Sequence, residues 1–425
     1  MKNNSGTATQ IKIWQKKMFW LMWVTYGSFY LLRVNISVAM PKIMGEYGLT
    51  KTNMGIVLSC LFFAYAVGQF INGQLGDKIN ARRIITFGLI ASAVLNIIFG
   101  FSAGAIVLMA ILWGLNGYFQ SMGWGPTVKT MANWFPKKGR GKIAGRLGTA
   151  YILGGAFSWF LAGTIVKYMN WRFSFWIPAV ICIVLAIHWY VRARNAPEEV
   201  GFPSLEDQEQ GIENNEVKKD HHIGFKETLR ITLSNPYVWF AGFALFGLNI
   251  VRYGFMSWAP TYMFEEQGAT ISLAAYKAIA FPVAGGLGAI FAGWASDSIF
   301  KHRRAPIAFI MLVLLAVSCY LYRLVPAESW VLSLSMLLVI GFLTFGPHVL
   351  IVAALPADLV TRKAASSVTG FIDAMGYVGA SLTGVGTGFL VDNFSWDAAF
   401  YFWIFGAVMA AVMMVFVWKF EIKKG

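Results

Sequence analysis

The chain has 425 residues, 57% hydrophobic and 16% aromatic, with a formal net charge of +15. Only 13% of the residues are charged, against about 25% in an ordinary soluble domain, so the polar helix faces of a soluble multidomain enzyme are missing. Apolar runs long enough to cross a bilayer recur along almost the whole length, and the composition reads as a polytopic all-α membrane protein.

Residues 1–17 are polar and basic, with Lys2, Lys12, Lys16 and Lys17. The first apolar run follows without a small-residue cleavage pattern, which predicts an uncleaved first membrane crossing rather than a signal peptide. Twelve apolar segments follow one another, near 18–40, 52–74, 83–102, 105–130, 142–167, 172–193, 236–263, 272–296, 305–324, 329–354, 364–390 and 396–418. With the N-terminus inside, the inner segments hold 26 Lys and Arg and the outer loops five (Lys42, Lys51, Lys167, Arg172 and Arg323). That asymmetry predicts a multi-pass protein of the cell membrane with both termini in the cytoplasm. The excess charge is then an anchor to an anionic inner leaflet, and no nucleic-acid partner is expected.

The stretch 195–235 is the longest polar one, with Pro197, Pro203, an acidic run from Glu206 to Glu216, and His221-His222. It reads as a flexible cytoplasmic linker between an N-terminal six-helix bundle (1–194) and a C-terminal one (236–425). The three cysteines, Cys60, Cys182 and Cys319, lie in apolar segments and read as packing residues. There is no nucleotide-binding glycine loop, metal-ligand cluster or nucleophile constellation, so neither a cofactor, a metal nor a catalytic residue is expected.

The two halves repeat each other. Arg33 stands in Tyr30-Leu31-Leu32-Arg33-Val34-Asn35 and Arg252 in Asn249-Ile250-Val251-Arg252-Tyr253-Gly254, each followed eight residues later by proline (Pro41 and Pro260). Gly73-x-x-x-Asp77 with Arg82-Arg83 follows the first arginine by 44 residues; Gly293-x-x-x-Asp297 with Arg303-Arg304 follows the second by 45. Gly125-Pro126 and Gly346-Pro347 lie 93 and 95 residues beyond their arginines, and Trp171-Arg172-Phe173-Ser174-Phe175-Trp176 echoes the run from Trp396 to Trp403. Four landmarks in the same order predict a duplicated six-helix unit, the plan of major facilitator transporters. The Gly-x-x-x-Asp elements and their arginines fall at the inner ends of segments 2 and 8, where a charge latch would close an inner gate in one state and break in the other.

An arginine in the centre of a membrane helix costs about 2.5–3.5 kcal/mol on insertion scales. Arg33 lies 16 residues beyond Lys17 and Arg252 16 beyond Pro236, which places both deep in the bilayer at equal height. Lys129 and Lys277 add basic charge inside the segments, whereas Asp373 is the one acid well inside. Lys277 reads as a snorkelling residue near an outer helix end. The surplus of buried positive charge predicts a mobile anion as the partner. Two planar guanidinium forks suit a tetrahedral phosphate or a carboxylate.

At these residues the chain resembles the organophosphate:phosphate antiporter family of the major facilitator superfamily. The resemblance rests on Leu31-Leu32-Arg33 through Met40-Pro41, Asn116-Gly117 with Gly123-Trp124-Gly125-Pro126 and Trp134, Arg252-Tyr253-Gly254 through Trp258-Ala259-Pro260-Thr261-Tyr262, and Lys363-Ala364-Ala365 through Thr369-Gly370-Phe371 with Gly376-Tyr377. It implies phosphate coordination by Arg33 and Arg252, alternating access, and inorganic phosphate as counter-substrate. Against the glycerol-3-phosphate type, Gln69 stands in place of a lysine and Tyr151 in place of a histidine, while His348 and Asp373 are additions. The candidate substrate-binding set is therefore Arg33, Arg252, Tyr30, Gln69, Trp124, Lys129, Tyr151, Tyr253, His348 and Asp373. The candidate gating set is Asp77, Arg82, Arg83, Asp297, Arg303 and Arg304.

The expected function is exchange of an organic phosphate or phosphonate for inorganic phosphate by a monomer. The alternatives are a proton-coupled organic-anion symporter and a sugar-phosphate sensor without turnover.

Overall fold

The computed structural model describes residues 4–136, 140–203, 230, 232–327, 329–359 and 362–424. The acidic run and His221-His222 of the expected linker lie outside the described residues, as does the side chain of Asp77.

Among the described residues the fold is helical throughout. The helices are α1 (Asn4–Phe29), α2 (Asn35–Tyr47), α3 (Lys51–Lys78), α4 (Ala81–Phe99), α5 (Ile106–Gln120), α6 (Trp124–Trp134), α7 (Arg140–Tyr168) and α8 (Phe173–Arg192) in the first half. The second half has α9 (Pro236–Glu265), α10 (Ile271–Ala278), α11 (Ala280–Ser298), α12 (Arg304–Arg323), α13 (Trp330–Val349), α14 (Leu355–Leu359), α15 (Arg362–Asn393) and α16 (Trp396–Lys424). Eleven stretches are long and apolar enough to cross a membrane. A twelfth crossing is made by α1 and α2 together, and the twelve form two pseudo-symmetric six-helix bundles. An even number of crossings brings both termini to one end of the bundle, here the terminal end; the opposite end is the far end.

The duplication seen in the sequence recurs as matched bonds. Thr50 caps α3 by accepting from the Asn53 backbone N–H at 3.2 Å, and Thr270 caps α10 by accepting from Leu273 N–H at 3.2 Å, each satisfying an orphan donor of a helix start. Trp171 Nε1 donates to Glu46 at 2.6 Å, and Trp396 Nε1 donates to Glu265 at 3.0 Å.

The first crossing departs from expectation. The spacing predicts an unbroken helix through Arg33, but α1 ends at Phe29, a single 3-10 turn spans Tyr30–Leu32, and Arg33 has φ −120 and ψ −43 before α2 begins at Asn35. The break contains neither Pro nor Gly. Side-chain amides from neighbouring helices insert into the hydrogen-bond ladder instead, a recognised cause of helix breaks. Leu32 O accepts from Asn116 Nδ2 at 2.8 Å and from Asn96 Nδ2 at 3.2 Å, and Phe29 O accepts from Gln120 Nε2 at 3.0 Å. Within a bilayer each freed carbonyl must be met by protein. Asn116→Leu leaves Leu32 O with the Asn96 amide alone and should lower stability by about 1 kcal/mol, the net worth of one hydrogen bond; a melting temperature in detergent checks it. Arg252, by contrast, stands within the continuous α9.

The two halves meet most closely towards the far end. A Cβ on Gly55 of α3 would stand 2.4 Å from Gly384 O of α15, and one on Gly388 would stand 2.3 Å from Lys51 O. Ser59 Oγ donates to Ser381 O at 2.5 Å and Ser381 Oγ to Ser59 O at 3.1 Å. Asp392 at the end of α15 accepts from the backbone N–H groups of Lys51 (3.1 Å) and Thr52 (2.6 Å), so a carboxylate from one half caps a helix of the other. Lys51 also pairs with Glu265 at 3.2 Å, and Tyr276 and Thr164 share a hydrogen bond of 2.9 Å between α10 and α7.

Candidate functional site

Arg33 and Arg252 face each other across the halves, at mid-height. The Arg33 guanidinium carbon lies 6.0 Å from the Tyr253 ring centre and that of Arg252 lies 5.1 Å from the same ring. Both side chains are almost fully buried, at 6% and 5% exposure. Arg33 is held by aromatic faces rather than by acids: Tyr65 at 4.4 Å, Tyr30 at 5.5 Å, Phe62 at 5.8 Å and Tyr377 at 5.9 Å. Arg252 lies 4.9 Å from the Phe345 ring and 5.9 Å from that of Tyr151. Such cation–π contacts orient a guanidinium and offset part of its desolvation without neutralising it.

The polar atoms left over are donors. Arg33 Nη2 and Arg252 Nε are buried with no hydrogen-bond partner among the described residues, and so is His348 Nδ1. Arg252 Nη1 lies 2.8 Å from His348 Nε2. A guanidinium has no acceptor to offer, so Nε2 accepts, the imidazole is neutral, and its proton sits on Nδ1. Three buried N–H groups thus have no hydrogen-bond partner among the described residues, an arrangement that costs free energy until an anion arrives.

Of the sequence candidates, Tyr30, Tyr151, Tyr253 and His348 touch the arginine pair directly. Gln69 reaches it at one remove, its Nε2 donating to Tyr65 Oη at 2.9 Å. Trp124 is two rings away, tilted against Tyr26 at 4.8 Å, which meets Tyr30 at 6.1 Å. Asp373 is half-buried on α15, one turn before Tyr377. Its charge couples to both arginines, but it forms no ion pair with either. Lys129 is half-buried on α6. Lys277 is not a snorkelling residue: only 6% of it is exposed, because α10 packs between the halves instead of facing lipid or water.

The sequence reading missed Phe62, Phe345 and Tyr377 as walls of the site, since an aromatic in an apolar helix carries no sign of which way it faces. Asn96, a lone amide in an otherwise apolar run, was a legible signal for a partner inside the bundle.

At the terminal end, these contacts of the described candidate gating residues lie within their own halves. Asp297 accepts from Arg304 Nη1 at 2.5 Å and pairs with His302 at 3.1 Å; Arg304 Nε is 3.4 Å from Asp358. Arg303 gives its carbonyl to Ser296 Oγ at 3.3 Å. Arg82 lies over the Tyr190 ring at 5.3 Å and its backbone N–H donates to Asn195 at 3.0 Å, while Arg83 is exposed.

Towards the far end, Arg33 borders a small cavity of about 20 Å³ lined by Ser37, Phe62, Trp113, Tyr253 and Ser257 among others, room for about one water molecule.

Comparison with known proteins agrees with this architecture. The family model described as Major Facilitator Superfamily matches residues 22–384. A glycerol-3-phosphate transporter from Bacillus subtilis is 32% identical over 405 residues, covering 94% of this chain and 91% of the relative. A probable hexose phosphate transport protein from Chlamydia trachomatis is 31% identical, covering 96% and 92%. A membrane sensor protein from Escherichia coli is 30% identical, covering 95% and 92%. Among solved structures, a bacterial homologue of the human lysosomal transporter Spinster, described as inward-facing and unoccupied, superimposes with a TM-score of 0.80 at 14% identity over 95% of this chain and 96% of that one, a likeness of fold. With the halves, the broken first crossing and the paired arginines in place, the chain belongs to the major facilitator superfamily and, within it, to the organophosphate:phosphate antiporter family.

Proposed function

We propose that this protein is a secondary transporter that exchanges an organic phosphate or phosphonate for inorganic phosphate by alternating access. The observation that carries the reading is the set of buried, unpartnered N–H donors on Arg33, Arg252 and His348. Two guanidinium forks from opposite halves suit a tetrahedral oxyanion, and an anion bound by both would couple the halves to each other. The relatives named for glycerol-3-phosphate and hexose phosphate support the class of substrate. We place the two bundles at 1–194 and 236–425, joined by the 195–235 linker, in a cell membrane with both termini in the cytoplasm. The protein works as a monomer. The packing of α3 on α15 at the far end then corresponds to a state closed on the outside. In the opposite state, Asp77 and Asp297 with their neighbouring arginines close the inner gate.

Purified protein in lipid vesicles loaded with inorganic phosphate tests the exchange. Uptake of a labelled phosphate ester should rise at least tenfold over vesicles loaded with chloride; equal rates would sink the antiport. The 30% identity to a sensor favours one second reading, ligand binding without turnover. The same vesicles separate the two, because a sensor would be stabilised by ligand and show no exchange.

His348 is expected to act through Arg252. His348→Leu removes the acceptor at Arg252 Nη1 and should raise the half-saturation concentration about tenfold, roughly 1.4 kcal/mol. His348→Gln, whose carboxamide oxygen can accept, should recover most of that loss in the same uptake assay.

A further inference from the structure

The arginine pair accounts for one end of a substrate; Asp373 is left over. It stands on α15 exactly one turn before Tyr377 in sequence register, so both project from the same helix face. Tyr377 meets the Tyr65 ring at 4.6 Å and the Tyr253 ring at 6.0 Å, and lies 5.9 Å from the Arg33 guanidinium. Asp373 is therefore on the same side of α15 as Tyr377, about one helical turn from it, ~6 Å along the axis, towards the terminal end. Its carboxylate couples electrostatically to Tyr65 and Tyr377 as well as to both arginines. Neither arginine closes on it, although both have a free N–H. A half-buried carboxylate that couples electrostatically to two unneutralised guanidiniums and ion-pairs with neither is placed for a different cation.

Charge counting gives the same answer. The two arginines and Asp373 sum to one positive charge, His348 being neutral through its acceptor role. A phosphomonoester dianion bound there leaves one uncompensated negative charge in a buried site, which is expensive. A dianion that also carries one ammonium group leaves none. The faces of Tyr65 and Tyr377, which meet each other at 4.6 Å, are themselves favourable to an ammonium ion.

We propose, on the basis of the phosphate reading above, that the site between the halves takes a zwitterionic substrate, a short aminoalkyl phosphate or phosphonate, with its phosphorus oxyanion on Arg33 and Arg252 and its ammonium group on the Asp373 carboxylate. The same aminoethyl phosphate chemistry occurs in a lipid headgroup. There, however, the phosphodiester holds a single negative charge and cannot supply the dianion.

The test is exchange in phosphatidylglycerol vesicles loaded with inorganic phosphate, comparing aminoethyl phosphonate with propyl phosphonate, which is nearly isosteric and has no amine. The wild-type protein should show a half-saturation concentration at least tenfold lower for the amine, and Asp373→Asn should bring the ratio of the two close to one. Equal half-saturation in the wild type, or a preference that survives Asp373→Asn, overturns the assignment while phosphate exchange itself leaves the clamp standing. An unchanged ratio with a lost dependence on the pH gradient in Asp373→Asn overturns it in favour of a proton carrier. Absence of exchange with every phosphorus compound removes the clamp and the amine site together. Adding phosphatidylethanolamine to the vesicles should leave the ratio unchanged; competitive inhibition by that lipid would overturn the soluble substrate in favour of a headgroup.

Discussion

Replacing either Arg33 or Arg252 by lysine should reduce exchange at least a hundredfold, about 2.7 kcal/mol or more at two factors of ten, in protein that still folds. Lysine keeps the charge, so long-range attraction of an anion survives. It loses the planar fork and two of the five donors, and with them the bidentate geometry that holds a phosphate in one orientation. The loss should be steeper at Arg33. There the guanidinium plane lies against Tyr65, Tyr30 and Phe62, and a compact ammonium group cannot fill the same aromatic socket. Initial rates in phosphate-loaded vesicles, with a melting temperature as control for folding, decide the matter. Near-normal rates for either variant would break the clamp.

The second large effect is expected far from the arginines. Gly55→Leu should stop exchange by preventing closure of the far end. A single Cβ at position 55 would come within 2.4 Å of Gly384 O and 2.9 Å of Val385 Cα. Overpacking costs about 1–3 kcal/mol where side chains can yield; here the obstacle is backbone on a long helix, which yields only if the halves part. The Asp392 cap on α3 and the Lys51–Glu265 pair would be lost with the same movement. A thiol introduced by Ser257→Cys, in a background without the three native cysteines, reports the state, because Ser257 is buried and borders the small cavity beside Arg33. Membrane-impermeant reagents should label it at least tenfold faster from the far side in the Gly55→Leu background. Unchanged labelling would mean that the glycine contact does not hold that end shut.

Much of this was legible in the linear chain. The number of crossings follows from apolar length, because a bilayer of fixed thickness sets a fixed requirement. The duplication follows from landmarks that recur at matched distances from Arg33 and Arg252. The depth of the arginines follows from counting residues along helices of known rise. Other features were not legible. Nothing in Tyr30 to Asn35 signals a helix break, since it contains no Pro or Gly; the break depends on amides of Asn96, Asn116 and Gln120, which lie 64, 84 and 91 residues from the carbonyls they meet. Lys277 looked like an end residue because a single helix cannot show what packs over it.

By itself, then, the sequence determined a twelve-crossing, two-fold repeated membrane fold with two deep arginines and too few buried acids to neutralise them. These are one-dimensional properties: apolar length, periodicity and charge count survive without knowing what touches what. The tertiary structure alone decided which atoms remain unpaired. It put Arg252 on the lone pair of His348, set Arg33 in a socket of tyrosines, and left Asp373 one turn away with no cation of its own. Hydrogen-bond and ion-pair partners lie at distances of a few ångströms between helices far apart in sequence, and only the packed bundle specifies them.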